Sequence, residues 1–496
     1  MSMSTYDIYS VFPEIYILFC VILLLIYGVL SSVSSSLGFP ILNLNILLLC
    51  LQVSVFAIFI LISSQDFLIF SWNQLLMYDF FTFGISLIIL ITFNFWVLLT
   101  ISYIKYEKIL SFEYWILALL ALVGMLCIIK SCDLLSMYLA VEFQSLVFYI
   151  LASFKRTSEF STEAGLKYFI LGAFSSALLL FGSSILYGLT GLTNFNDYLK
   201  FTAGSVLISS PLNLAIAFGL IIILISLLFK VSAAPFHFWS PDVYEGAPTA
   251  TTAFFSILPK LVILSLALRI CLIYFHDFFY FWQNVILFCA YLSILVGTFT
   301  AFQQEKFKRF LAYSSINHVG FILLGYNAGE IESIFGVVFY SITYIMMMFG
   351  TFLFLMSFRH YYFPVHNQVR YIKNLLLLSE TNPVLALSLC LLLFSMAGIP
   401  PLTGFFSKFF VLLPSLQNSM YGLTIFAVVM SCISCFYYIR LIKIMYFDNH
   451  TVNLVVTYPL SDLNSYLLGF FVFLSTFLFL DLELISLFSA RLSLLT

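Results

Sequence analysis

The chain has 496 residues, of which 63% are hydrophobic and only 8% are charged, and its formal net charge is −2. Soluble globular domains carry roughly 25% charged residues, so this composition excludes a water-soluble protein and makes lipid the outer solvent. The small net charge gives no reason to expect a nucleic acid as a partner.

Long apolar stretches divide the chain into candidate membrane helices, each near the length of about 20 residues that crosses the hydrocarbon core. They predict an all-α integral membrane protein of about fourteen spans. In chain order these spans are 13–32, 40–63, 75–103, 112–130, 132–153, 163–189, 211–239, 249–272, 277–300, 310–326, 332–358, 386–413, 418–440 and 463–489.

The basic residues are distributed unevenly between the two sides of these spans. Loops that join odd-numbered to even-numbered spans carry twelve of them: Lys105, Lys108, Lys155, Arg156, Lys306, Lys308, Arg309, Arg359, Arg370, Lys373, Arg440 and Lys443. The opposite side carries four, Lys130, Lys200, Arg269 and Arg491. This asymmetry obeys the positive-inside rule and predicts that both termini face away from the matrix or cytoplasm.

Two pairs of segments resemble each other within the chain. Residues 227–235 align with 392–400, and 139–151 align with 311–323. These matches relate spans four to eight with spans nine to thirteen, and an odd number of spans gives the two copies opposite topology, as in transporters built from inverted repeats. Chance similarity between apolar segments is the alternative. The predicted units are an N-terminal three-helix segment (1–110), two inverted repeats (111–275 and 276–445) and a C-terminal span (446–496).

Prolines stand at corresponding places in spans seven and twelve, at Pro235 and Pro400. A proline lacks the backbone N–H donor and leaves the carbonyl four residues earlier without a partner. Irregular backbone at membrane depth is tolerated only against protein or water, so both breaks predict hydrated cavities.

Five ionisable residues fall within or at the edge of predicted spans: Glu142, Lys167, Lys230, Lys260 and Lys408. A charge at membrane depth costs about 2.5–3.5 kcal/mol or more, and such residues usually face a substrate or ion pathway. Lys260 and Lys408 have no acidic residue nearby in sequence. A lysine without a counter-ion in a low-dielectric site can bind and release a proton near neutral pH, so these residues indicate proton transfer.

Each of these residues also has a purely structural interpretation. Glu142 and Lys230 could form a static ion pair that joins two helices. Lys167 could extend to the basic side beside Glu163, four residues earlier on the same helix face. His237 and His318, in different spans, are candidate proton relays or hydrogen-bonded packing residues.

The sequence has no haem-ligand pair, nucleotide-binding glycine loop, metal cluster or nucleophile–base motif. Cys432 and Cys435 form a C-x-x-C inside an apolar span without a second pair, which is typical of small helix residues. We therefore predict no redox chemistry and no cofactor in this chain.

The N-terminal segment has no basic residue before Lys105 and so matches neither a mitochondrial transit peptide nor a signal peptide. The many Phe (59) and Tyr (30) residues are typical of an A+T-rich organelle genome. These features favour an organelle-encoded, multi-pass protein of the mitochondrial inner membrane, with a bacterial plasma membrane as the alternative.

One long motif resembles a known family. From Phe229 to Thr249 the sequence is Phe-Lys-Val-Ser-Ala-Ala-Pro-Phe-His-Phe-Trp-Ser-Pro-Asp-Val-Tyr-Glu-Gly-Ala-Pro-Thr. It closely resembles the signature of the NADH dehydrogenase subunit 2 family, the smallest of three antiporter-like membrane subunits of respiratory complex I (NADH:ubiquinone oxidoreductase). Pro259-Lys260, the surroundings of Glu142, and 398–405 with Lys408 are also similar, so the resemblance covers nearly the whole chain.

This resemblance implies roles for the matching residues. Glu142 and Lys230 would form the modulating ion pair, Lys260 the central proton-binding lysine and Lys408 the terminal lysine on the exit side. The family's span-six lysine matches Lys167. The second repeat has Ser314 opposite Glu142 and Ser395 opposite Lys230, so the two half-channels would differ. FMN, iron–sulfur clusters and ubiquinone would belong to partner subunits.

The resemblance therefore implies a proton-translocating subunit of an H⁺-translocating NADH:ubiquinone reductase, a component of the respiratory chain. Its partners would be lipids and other membrane-arm subunits of complex I, including a neighbouring antiporter-like subunit. Two alternatives remain open from the sequence. The chain could be a freestanding secondary transporter or a subunit of a cation/proton antiporter, or it could only space other subunits within the membrane.

Overall fold

The computed structural model describes residues 5–31, 43–63, 68–107, 109, 111–203, 211–329, 331–359, 369–448 and 460–494. Lys108, counted above among the basic loop residues, lies outside these ranges. Within them the protein is nearly all helical, and twelve helices are long and apolar enough to cross a membrane.

The N-terminal part contains α1 (Thr5–Ser10), α2 (Phe12–Ser31), α3 (Asn43–Ser63), β1 (Ile69–Ser71), β2 (Leu76–Tyr78) and α4 (Phe80–Glu107). The middle part contains α5 (Glu113–Lys130), α6 (Leu134–Ala152), α7 (Glu159–Thr190), α8 (Phe195–Ala203), α9 (Pro211–Val231), α10 (Trp239–Gly246) and α11 (Thr249–Leu268), which a π-helical turn extends to Tyr274.

The C-terminal part begins with α12 (Phe279–Gln303), α13 (Phe307–Leu324), α14 (Ile331–Ser357) and α15 (Leu378–Thr381). It continues with α16 (Pro383–Ala397), α17 (Thr403–Gln417), α18 (Tyr421–Tyr446), α19 (Asp462–Phe477) and α20 (Glu483–Leu494).

Local sequence explains several of these boundaries. The side chain of Asp133 accepts a hydrogen bond from the Leu135 N–H at 2.8 Å and so caps the start of α6. Asn382 caps α16 in the same way, and Pro383 occupies the first turn, where its missing N–H costs nothing. Gly191, with φ +70°, ends α7 in the left-handed conformation that suits glycine.

The third predicted span began too early. Residues from Leu76 to Tyr78 form β2, paired antiparallel with β1 so that Ile69 lies opposite Tyr78. The helix starts only after Asp79, whose side chain accepts from the Thr82 N–H while its own N–H donates to the Thr82 hydroxyl, each at 2.8 Å. This reciprocal cap fixes the start of α4.

Helices are interrupted at both of the prolines that predicted an interruption. Around Pro235, α9 ends at Val231 and α10 begins at Trp239, and around Pro400, α16 ends at Ala397 and α17 begins at Thr403. The Trp239 indole N–H donates to the Phe229 carbonyl at 2.8 Å and satisfies an acceptor in the last turn of α9.

Two predicted spans lie outside the set of twelve membrane-length helices. The predicted span 310–326 corresponds to α13, which is helical but more polar, and 386–413 is divided into α16 and α17, of 15 residues each. The last predicted span is also interrupted, because a 3₁₀ turn at Leu478–Asp481 separates α19 from α20.

Helix α11 lies at the centre of the fold, since all 20 of its residues are buried. It contacts α4, α5, α9 and α14. Lys260 is therefore surrounded by protein on every side.

Two buried ion pairs attach the N-terminal part to the rest. Arg269 pairs with Asp79 and also donates to the Ile129 carbonyl at 3.2 Å. Lys130 lies 2.6 Å from the Glu14 carboxylate, and both side chains are 2% exposed. The sequence analysis counted Lys130 and Arg269 on the side away from the basic loops, and the structure gives each a carboxylate partner that offsets the cost of its burial.

Candidate functional site

Lys260 lies on α11, is 2% exposed, and is held by neutral groups only. Its ammonium donates to the Ser315 hydroxyl at 2.8 Å. The rings of Tyr244 and Tyr344 lie 5.8 and 6.0 Å from the nitrogen, measured to the ring centroids, near the outer limit of a cation–π contact. No ion pair to Lys260 occurs among the described residues.

Pro259, directly before Lys260, lies inside α11. Because proline has no N–H, the Phe255 carbonyl loses its usual helical partner. One residue further on, the Ser256 carbonyl accepts a hydrogen bond from the Tyr344 hydroxyl at 3.1 Å. The backbone beside Lys260 is therefore tied to the same tyrosine whose ring faces the lysine.

His318 lies three residues after Ser315 on α13, so both side chains share one helix face. Its Nδ1 is 2.8 Å from the Tyr340 hydroxyl and its Nε2 is 3.2 Å from the Tyr438 hydroxyl. Lys260 and Lys408 both act on this imidazole electrostatically. The structure thus brings the predicted histidine within electrostatic range of both predicted lysines, and both of its ring nitrogens are hydrogen-bonded.

Lys408 lies on α17, is 7% exposed, and is also without a carboxylate partner among the described residues. Its ammonium donates to the Ala397 carbonyl at 2.7 Å, at the end of the broken helix α16, where free carbonyls favour a cation. Gly398 makes this approach possible, because a Cβ there would lie 3.0 Å from the lysine nitrogen. The break at Pro400 therefore leaves a free carbonyl that accepts the hydrogen bond from Lys408.

Glu142 and Lys230 are near each other but do not form a direct ion pair among the described residues. They interact electrostatically at longer range, and Ser145 donates to the Glu142 carboxylate at 3.4 Å. We expected an ion pair here, either from the resemblance or as a static link between helices. The structure instead has the two charges near each other without direct contact.

A small cavity of about 20 Å³ lies beside Lys230 and is lined by Gln144 and Ser145 of α6. The amide nitrogen of Gln144 and one carboxylate oxygen of Glu142 are buried and have no hydrogen-bond partner within the described ranges. A cavity of this volume is large enough for a water molecule, which needs polar partners of this kind. The cavity therefore has room and polar lining for one water molecule next to Lys230. That both breaks adjoin hydrated cavities stays a prediction.

Lys167 is not buried with the other lysines. Its side chain is 42% exposed and pairs with Glu163 and Asp242, at 2.8 Å from each. Arg309 also pairs with Asp242 at 2.8 Å and continues to Glu245. Of the two interpretations of Lys167, the structure matches an ion pair at the basic end of the helices.

His237 lies in the break between α9 and α10, away from the lysine cluster. Its ring stacks on Phe238 with 4.7 Å between ring centroids, and Tyr313 lies at 6.5 Å. The His237 carbonyl also accepts from the Ser240 hydroxyl at 3.0 Å. None of the contacts found for His237 in the described part of the chain is with Lys260 or Lys408.

Sequence reasoning missed the hydroxyl groups that join the predicted residues. These are the side chains of Ser315, Tyr244, Tyr344, Tyr340 and Tyr438. Tyr244 stood in the quoted motif, whereas serines and tyrosines are so common in this chain that nothing marked the others.

Metal chemistry has no evident site in the part of the chain that the structure describes, where no group of three or more His, Cys, Asp or Glu side chains converges. Cys432 and Cys435 are free cysteines on α18, one exposed and one half-buried. Both lie close enough to Lys408 to interact electrostatically with it.

Comparison with known proteins gives this arrangement its context. Residues 131–434 match the family model described as the NADH:quinone oxidoreductase/Mrp antiporter transmembrane region. NADH-ubiquinone oxidoreductase chain 2 of Marchantia polymorpha is 43% identical over 96% of both chains. The chain belongs to this family.

Bacterial members are similar as well. NADH-quinone oxidoreductase subunit N 1 of Rhizobium meliloti is 43% identical over 71% of each chain. Among solved structures, a chain of respiratory complex I from Thermus thermophilus matches with a TM-score of 0.77 and 25% identity, covering 96% of this chain and 99% of that one. The matched family region contains Glu142, Lys230, Lys260 and Lys408.

Proposed function

We propose that the protein is a proton-translocating membrane-arm subunit of NADH:ubiquinone oxidoreductase. Quinone reduction in other subunits drives it electrostatically, and it transfers protons across the membrane. The family membership and the names of its relatives support the assignment to this complex. The observation that carries the mechanism is Lys260, a buried lysine whose one hydrogen bond among the described residues is to the Ser315 hydroxyl.

The absence of a carboxylate decides what Lys260 can do. A buried ammonium paired with a carboxylate is held in its charged form, whereas one held by neutral groups gains little from remaining charged in low dielectric. Its protonation therefore responds to charges that appear or disappear nearby. In this proposal Glu142 and Lys230, which interact electrostatically with each other, supply that change of charge.

The geometry supports a path in a definite order. A proton on Lys260 reaches the Ser315 hydroxyl, then the hydrogen-bonded His318, and then the region of Lys408. Water must complete the gaps, since a proton moves between groups within hydrogen-bond reach. Lys408 releases the proton on the exit side.

Lys167 and His237 have supporting roles in this proposal. Lys167 anchors the ion pairs at the basic end, where protons enter, and His237 lies at the break in span seven. Neither contacts the central lysines, so we assign them to positioning rather than to proton transfer.

The proposal includes the finer architecture of fourteen spans with two inverted five-helix repeats. The repeats would be 111–275 and 276–445, after the three-helix segment 1–110 and before the C-terminal segment 446–496. Corresponding breaks at α9/α10 and α16/α17 support this division. A second similarity also supports it. In each break, a carbonyl near the end of the first helix accepts a hydrogen bond from a side chain, Trp239 in one copy and Lys408 in the other.

The same proposal assigns partners and location. The protein would contact other membrane-arm subunits, among them a neighbouring antiporter-like subunit, and lipid. FMN, iron–sulfur clusters and ubiquinone would lie in partner subunits. We propose the mitochondrial inner membrane, on the strength of the Marchantia relative and the aromatic-rich composition; the Rhizobium relative keeps a bacterial plasma membrane as the alternative.

The test is Lys260→Ala in the assembled complex. We expect electron transfer from NADH to an artificial acceptor to be unchanged, because it does not require the membrane arm. Quinone-coupled turnover and proton pumping should fall strongly. Lys200→Ala, an exposed lysine on α8, is the matched control. Unchanged coupled turnover in Lys260→Ala would falsify the pathway, and activity of the chain without its quinone reductase would favour a freestanding antiporter.

A further inference from the structure

A second, larger cavity lies at the basic end of the helices, apart from the lysine path. Its volume is about 150 Å³, several times that of the cavity beside Lys230. The ends of α4, α7, α10 and α13 surround it, and residues 369–371 complete its wall. A cavity of this size accommodates a group larger than a single water molecule.

The charges that line this cavity do not balance. Four basic side chains face two carboxylates, a formal surplus of two positive charges. Burial lowers the pKa of Lys308 to about 7, so a bound anion would favour its charged form. The cations are Lys155, Lys306, Lys308 and Arg370, and the carboxylates are Glu107 and Glu245. A concave site lined by one sign of charge attracts ions of the other sign.

Both carboxylates already have partners. Lys155 lies 2.8 Å from Glu107, and Lys306 pairs with Glu245. Two arginines outside the cavity lining pair with the same carboxylates, Arg359 with Glu107 and Arg309 with Glu245. No carboxylate of the lining is therefore free to pair with a further cation.

Lys308 and Arg370 are the two cations left over. The Lys308 ammonium donates to the Ala247 carbonyl at 2.8 Å, and the Arg370 guanidinium lies over the Phe160 ring at 5.6 Å. Neither has a carboxylate partner among the described residues. Most of their hydrogen-bond donors are thus available to a ligand.

Helix ends add to the positive potential. The residues that precede α7, α11 and α13 all line the cavity, namely Ser158, Pro248 and Lys306. The N-terminus of a helix carries a partial positive charge and free N–H groups. Two helices, α4 and α10, have their C-termini at the same cavity, and a helix C-terminus carries a partial negative charge. The helix ends therefore add less positive charge than the side chains do.

We propose that this cavity binds a phosphate group between Lys308 and Arg370. Lysine and arginine are the side chains that bind phosphate, the latter through two parallel hydrogen bonds. A phosphate of charge about −1.5 to −2 would offset the surplus of the lining. The group could belong to an anionic phospholipid headgroup or to phosphate in solution. The proposal is independent of the proton path, since neither Lys308 nor Arg370 belongs to it.

The test compares the intact complex with a Lys308→Gln/Arg370→Gln double variant, using cryo-electron microscopy and radiolabelled inorganic phosphate. Each complex is placed in nanodiscs of phosphatidylcholine alone or with phosphatidylglycerol, in phosphate buffer or in phosphate-free buffer. We expect density between residues 308 and 370 in the native complex, and at least about tenfold weaker phosphate binding in the variant, because two charge-assisted contacts are lost. Lys373→Gln is the matched control, an exposed lysine on the same side that does not line the cavity.

The arms separate the two sources. Density that continues into acyl chains and requires phosphatidylglycerol identifies a lipid headgroup, and compact density that requires phosphate buffer identifies free phosphate. Either result supports the site if the density is lost in the double variant and kept in Lys373→Gln. Density for water alone under all conditions, or density between residues 308 and 370 that the double substitution leaves unchanged, would overturn the proposal.

Discussion

Two sets of buried cations in this protein have opposite surroundings. Arg269 and Lys130, near the side away from the basic loops, each contact a carboxylate, from Asp79 and Glu14. Lys260, in the centre, contacts a hydroxyl and two aromatic faces. Lys408 donates to a backbone carbonyl and lies over the ring of Phe321, and it has no carboxylate partner among the described residues.

This difference separates structure from function among residues that look alike in the sequence. A carboxylate neutralises its partner permanently, so the pairs hold the N-terminal helices against the body of the protein. A lysine without a counter-ion has two protonation states of comparable free energy, which proton transfer requires. Burial alone does not identify a candidate proton carrier. We propose that Lys260 and Lys408 carry protons because they are buried within the helices and have no carboxylate partner among the described residues.

The largest effect should come from breaking one structural pair. Asp79→Ala leaves the Arg269 charge buried without its partner, which costs about 3–5 kcal/mol, and also removes the cap of α4. We expect less assembled complex on native gels and a lower melting temperature. The double change Asp79→Leu/Arg269→Met should recover part of the loss, because no unpaired charge remains. Normal assembly and stability of Asp79→Ala would contradict the structural role of the pair.

An intermediate effect should come from the hydroxyl beside the central lysine. Ser315→Ala removes a hydrogen bond to a charged group, worth about 1.5–3 kcal/mol. We expect quinone-coupled turnover to fall about tenfold, while assembly and artificial-acceptor activity stay normal. Ser265→Ala is the control, since that buried serine on α11 donates its hydroxyl to the Val262 carbonyl of its own helix. Equal turnover in the two variants would remove Ser315 from the path.

The smallest effect should come from Lys167. Its ion pairs are partly exposed, and such pairs contribute about 0–1 kcal/mol. Lys167→Gln should therefore change the melting temperature of the complex little and lower coupled turnover only slightly. Raising the salt concentration should reduce the difference from the native complex further, because salt screens exposed charges. A loss of turnover as large as that of Lys260→Ala would move Lys167 into the proton path.

The sequence predicted much of the fold because the membrane imposes simple rules. Apolar length placed the helices within several residues, and Pro235 and Pro400 marked both broken helices. The prediction failed where local polar contacts set the start of a helix. The hairpin before α4 was predicted as helix, but hydrogen bonds between Asp79 and Thr82 make the helix begin after it. It also failed for the last span, which a turn divides at Leu478–Asp481.

The candidate site was predictable in its charges and not in its contacts. Lys260 and Lys408 stood out because lysine is rare in apolar segments, and His318 could be named for the same reason. The serine and tyrosine side chains that contact Lys260 and His318 come from four different helices, α10, α13, α14 and α18. Such neighbours carry no signal in a single sequence.

The sequence by itself determined that the chain lies in lipid and which side chains are costly to place there. Only the tertiary structure decided which of those charges are neutralised, since Asp79 and Glu14 lie 190 and 116 positions from their partners Arg269 and Lys130. The physical reason is that the free energy of a buried charge depends on the atoms within a few ångströms of it, and folding alone brings those atoms together.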